Sequence, residues 1–144
     1  MAWIAEGLHR IPDGHVVPAG ASVPSLRSTS REHTLQVGHG AVIQGAIEHA
    51  GGVILGRDVR VWHHVHGGHE VVVGAHSQTQ AIRATGRIVV QDGARTGDLH
   101  AGGDVLLLGT CHVGSVEAGG DIVIVGSPDA GAMTPGGRIA TRPW

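Results

Sequence analysis

The stretch Leu99-His100-Ala101-Gly102-Gly103-Asp104-Val105-Leu106-Leu107-Leu108-Gly109 is repeated 17 residues later as Val116-Glu117-Ala118-Gly119-Gly120-Asp121-Ile122-Val123-Ile124-Val125-Gly126. Val65-His66-Gly67-Gly68 and Ile82-Arg83-Ala84-Thr85-Gly86 precede this pair, and Met133-Thr134-Pro135-Gly136-Gly137 follows it. The step stays at 17 without interruption from Trp62 to Trp144. A fixed period of this size is the signature of a solenoid, in which residues one period apart lie on top of one another. Val65, Ile82, Leu99, Val116 and Met133 then form one aliphatic column, and Val71, Ile88, Val105, Ile122 and Ile139 a second. Val73, Val90, Leu107 and Ile124 form a third. These columns are the expected inward ladders, and the recurring glycines mark corners where positive φ or the absence of a Cβ is needed.

Working outward, the step loosens to 18 upstream: Val53 and Leu55 precede Val71 and Val73, and Leu35 and Val37 come one step earlier. Ser22 to Arg31 reads as an irregular loop, and Asp13-Gly14-His15-Val16-Val17 as an imperfect first coil. The expected organisation is an N-terminal cap and arm over residues 1–31 and a β-solenoid with a C-terminal cap over 32–144. Short aliphatic strands separated by turns argue against helices. So do the 25 glycines, since each would weaken a helix interior by about 1 kcal/mol. The expected class is all-β, a single-stranded β-helix with about 17 residues per coil.

At 144 residues the chain is sized for one domain, and with no Phe or Tyr its core must come from Val, Ile, Leu and Ala. A net charge of −2 and the absence of lysine leave no basic stripe for nucleic acid. The apolar run within Met1–Arg10 is too short for a signal peptide, and no stretch approaches a membrane span. A lone Cys111 suits a reducing cytoplasm.

Val72, Val89, Leu106 and Val123 break the inside–outside alternation, since they lie between two inward columns and are themselves aliphatic. A strand that is apolar on both sides is normally covered on both sides. In the adjacent column Gln91 gives way to Leu108 and Val125, which widens the apolar surface toward the C-terminal coils. Self-association through this face is expected, with cover by the N-terminal arm as the alternative.

Arg95-Thr96-Gly97-Asp98-Leu99-His100-Ala101-Gly102-Gly103-Asp104 and the aliphatic runs after it resemble the C-terminal domain of the septum site-determining MinC family, over about residues 80 to 140. That resemblance implies a triangular, right-handed β-helix that dimerises through an apolar face. It also implies a membrane-associated MinD-type ATPase as partner and an effect on FtsZ polymers. Arg95, Thr96, Gly97 and Asp98 occupy the place of the family's Arg-Ser-Gly-Gln partner element. Asp98 departs from it, and Pro128-Asp129-Ala130-Gly131 lacks the family's later Arg-Gly-Arg. No N-terminal domain of the type that inhibits FtsZ is expected ahead of the solenoid. The chain also resembles the bactofilins, solenoids that polymerise into cytoskeletal filaments.

Twelve histidines raise a metal reading, chiefly His63, His64, His66 and His69 with His49 and His100 as column neighbours. Val37-Gly38-His39-Gly40-Ala41-Val42-Ile43 resembles the hexapeptide-repeat helices that include γ-type carbonic anhydrases, where facing histidines could hold Zn²⁺. A period of 17 cannot keep a six-residue phase, and adjacent strand residues such as His63 and His64 point to opposite faces. The same divergence separates Cys111 from His112 as a nucleophile pair. No catalytic residue, metal site or cofactor is expected.

Overall fold

A computed structural model of the chain describes residues 9–11, 14–17, 19–23, 26–28 and 34–142, and these form a three-sided β-solenoid with no helix. The first face is a nine-stranded sheet. Its strands run from His9–Ile11 and Gly14–Val17 through Thr34–Val37, Val53–Leu55, Val71–Val73, Ile88–Val90, Val105–Gly109 and Ile122–Gly126 to Ile139–Arg142. The second face has seven strands: Leu26–Ser28, Ile47–His49, Val65–Gly67, Ile82–Ala84, Leu99–Ala101, Val116–Ala118 and Met133–Pro135. The third is thinner. Ser22–Val23, Val42–Ile43 and Arg60–Val61 pair there, and single bridges then carry it on from Arg60 through Gln78, Arg95 and His112 to Asp129.

All pairings are parallel except that of His9–Ile11 with Gly14–Val17. The registers are those of the sequence columns: Val71 pairs with Ile88, Ile88 with Val105, and Leu99 with Val116. Val65, Val71, Val73, Ile88, Val90, Val105, Leu107, Val116 and Ile122 are 0% exposed. Full burial of each such side chain contributes roughly 1.5–3 kcal/mol, so the stability of the fold lies in these ladders.

Ser22 to Arg31, expected as an irregular loop, contains two of these strands. Val23 pairs with Ile43, and Leu26 with Ile47. The polar residues of the segment hid a coil, because strand pairing with the coil above outweighs its weak local preference. The described part of Asp13–Val17 pairs with 34–37 and is a coil strand, as expected.

The registers also place the extra residue of the 18-residue coils. Between the third and second faces, Trp62, His63 and His64 fill the corner from Val61 to Val65. One coil later only Gln80 and Ala81 lie between Thr79 and Ile82. The other two corners keep their length, so the change from 18 to 17 is local.

A second adjustment occurs between the first and third faces. Gly40, Asp58, His76 and Gly93 occupy the left-handed region there, with φ of 71°, 57°, 60° and 75°. Asp and His are among the few residues besides glycine that tolerate it. In the next two coils the positive φ moves to Gly109 and Gly126. First-face strands lengthen accordingly, from three residues in Ile88–Val90 to five in Val105–Gly109 and Ile122–Gly126. This brings Leu108 and Val125 onto the face.

Corner carboxylates tie successive coils. Asp104 Oδ1 accepts the Asp121 N–H at 2.8 Å, and Asp121 Oδ1 accepts that of Arg138 at 2.8 Å. Asp98 does the same for Ser115 at 2.9 Å. Asp92 accepts from the Thr110 N–H at 2.9 Å and from its hydroxyl at 3.0 Å, and these bonds hold its carboxyl below the usual range.

Leu107→Asp places an unpaired carboxylate in the ladder between Val90 and Ile124. The expected cost is several kcal/mol, enough to unfold a domain of ordinary stability. Circular dichroism should show the β signal lost or the melting temperature sharply lowered, and an unchanged melt would reassign the inward columns.

Candidate functional site

Three surfaces carry the residues the sequence singles out. On the first face the outward column runs Gln36, Ile54, Val72, Val89, Leu106, Val123 and Ala140. Val72, Val89, Leu106 and Val123 are half-buried, because column neighbours about 4.8 Å apart shield one another. Ile54 extends the stripe at 42% exposure. Ile54 lies one 18-residue step before Val72, outside the 17-residue register that marks the rest of the stripe in the sequence. Leu108 and Val125 widen it at the other end and are also half-buried. Within the N-terminal segment, His9–Ile11 lies at the edge of this sheet, paired with Gly14–Val17.

The third face holds a groove of about 440 Å³. Its floor is Val61, Thr79 and Thr96, and its sides are Arg60, Gln78 and Arg95 on one edge and Trp62, Gln80 and Gly97 on the other. The groove follows from the corner chemistry. The three-residue corner at Trp62 is succeeded by shorter ones, and the outward column beyond Gln80 is bare backbone at Gly97 and Gly114. Trp62 stands 57% exposed at the step. Arg95, Thr96 and Gly97 of the expected partner element thus lie together here. Asp98 is round the corner, its Oδ1 occupied by the Ser115 N–H, and no Arg95–Asp98 ion pair forms among the described residues.

That next groove, about 510 Å³ on the second face, is lined by His64, His66, Arg83, Asp98, His100 and Glu117 among others. His100 Nδ1 is 2.8 Å from Glu117, and His64 Nε2 is 3.2 Å from Glu48. His66, Arg83 and His100 stack in one outward column. His49 does not join them. The 18-residue step aligns His66 with Glu48 and puts His49 in the inward column with Gly67 and Ala84, where it is 4% exposed. Reading His49 as a column neighbour of His100 is therefore corrected. Among the described residues no group of three or more His, Cys, Asp and Glu is placed to hold a metal ion.

Cys111 faces inward at 0% exposure, whereas His112 is exposed with Nδ1 3.3 Å from Asp129. Adjacent strand positions diverge, and this pair does. Burial pushes the Cys111 thiol up to about 11, leaving almost no thiolate at neutral pH. The expected outcome is that Cys111 resists iodoacetamide and a colorimetric disulfide reagent in the native protein and reacts fully in denaturant. Rapid native labelling would make it a reactive surface thiol.

In comparisons with known proteins, no family model, curated protein or solved structure matches this chain.

Proposed function

We propose that this chain is a non-enzymatic scaffold that self-associates through the outer side of its first face and uses the Arg95 corner to bind a partner. The observation that supports this is the outward apolar stripe from Ile54 through Leu106 to Val125, on a sheet whose inner side is already fully used by the core. Exposed aliphatic surface of that continuity is costly in a protein that stays single. A two-fold pairing of two such faces buries it with each residue meeting its own kind. The resemblance to the MinC C-terminal domain supports a MinD-type ATPase as the partner, with FtsZ polymers as the downstream target in bacterial division. In that setting the chain works in the cytoplasm and reaches the membrane only through the ATPase.

A second reading, polymer formation of the bactofilin kind, draws on Ile139 in the last described coil. Ile139 is 44% exposed, whereas its column partners Val71, Ile88, Val105 and Ile122 are 0% exposed. End-to-end stacking would cover it.

Leu106→Glu is the test of the lateral reading. It charges the centre of the outer stripe and leaves the inward Leu107 in place. Light scattering should then give the mass of a single chain with an unchanged melting temperature. An oligomer that survives the substitution moves the interface off this face, and filaments by electron microscopy favour the end-to-end reading. For the partner, Arg95→Ala should lose capture of the MinD-type ATPase from the same cell while keeping its own oligomer and melt. Undiminished capture removes the Arg95 corner from the site.

A further inference from the structure

We propose that the third-face groove between Arg60, Trp62 and Arg95 is a docking site for an acidic, extended segment of a partner protein, with Trp62 as its apolar anchor. The proposal rests on the partner reading above only in giving Arg95 a partner to meet. It adds Arg60, Trp62, Gln78 and Gln80, which no resemblance supplies.

Charge decides the chemistry. The groove is lined by two guanidinium groups and no carboxylate. Neither Arg60 nor Arg95 has an ion-pair partner among the described residues, although elsewhere on the surface Arg87 is held by Glu70 at 2.6 Å. The next residue in the same column, His112, already faces Asp129 at 3.3 Å. The two open cations stand two coils apart with Gln78 between them, a separation of about 10 Å between backbones. A guanidinium fork takes a carboxylate in two parallel hydrogen bonds, so this spacing suits carboxylates distributed along one segment. Gln78 and Gln80 offer both donors and acceptors to a peptide backbone crossing between them.

Trp62 supplies what charge alone does not. Among the described residues only Ile54, Trp62 and Ile139 are exposed large hydrophobics, and Trp62 is the most exposed at 57%. It belongs to no ladder. It stands in the three-residue corner and lines the groove together with Val61 and Thr79. A tryptophan flanked by arginines is the side-chain set that dominates measured binding hot spots. Nucleic acid is the rival that the same residues could attract, through phosphates and base stacking. Two guanidinium groups in the groove, in a chain with no lysine, fall short of the run of cations that a phosphate backbone needs, and this favours the acidic polypeptide.

The experiment uses the full chain and two fluorescein-labelled probes followed by anisotropy at low salt. One is a peptide of about ten residues, all glutamate except a central phenylalanine, and the other is oligo-dT of matching length. The peptide should bind, and Trp62→Ala and Arg60→Ala should each weaken it about tenfold or more with the melting temperature unchanged. Arg95→Lys should retain more binding than Arg95→Ala, since it keeps the charge and loses only the fork. No peptide binding, equal binding by the variants, or tighter binding of oligo-dT would overturn the proposal. Groove-dependent peptide binding by a chain that captures no MinD-type ATPase supports the proposal and removes only that ATPase as the partner.

Discussion

The backbone N–H and C=O groups of each coil bond along the solenoid axis, to the coils before and after. A residue must therefore sit over its counterpart, and the side chain that fills the core in one coil dictates what fits in the next. Val71 over Val53 and under Ile88 is the pattern for the whole interior. Branched aliphatics and alanine dominate these ladders, with His49, Thr79 and Cys111 among the buried departures, and no Phe, Tyr or Trp enters the described core. Register is thus enforced twice, by hydrogen bonds and by packing, and a slip of one residue would turn every inward Val or Ile to the outside.

With the interior so constrained, individuality is confined to corners and outward columns. The carboxylates of Asp98, Asp104 and Asp121 each take a backbone N–H of the following coil. In the sequence those residues look like ordinary turn formers after glycine. In the fold they stitch coils together at places where the sheet ladder turns. The left-handed residue at the first corner has a comparable role: moving it from Gly93 to Gly109 and Gly126 adds two residues to a strand and two aliphatics to a face.

The ladders were legible because a constant period superimposes chemically alike residues, and the aliphatic columns from Val65 and Val71 onward can be read without coordinates. The coil within Ser22 to Arg31 was not legible, since its short strands carry polar residues and owe their pairing to Val42–Ile43 and Ile47–His49 above them. A change of step from 18 to 17 also does not say which corner lost the residue, and His49 was misplaced for that reason. The grooves were hidden by the same ambiguity. Arg95 and Asp98 are neighbours in sequence, and only the position of the corner between them shows that they serve different faces.

The single extra residue in the corner at Trp62-His63-His64 shows how this architecture can diversify. It alters the outline of one edge, as the equally long corner Gln44-Gly45-Ala46 does one coil earlier, and leaves the ladders beneath and above it in register. Insertion and deletion, which in most folds displace everything downstream, act here as local edits to the relief of one edge. A lineage of such chains could acquire or erase a recognition surface one codon at a time, with the interior held constant throughout.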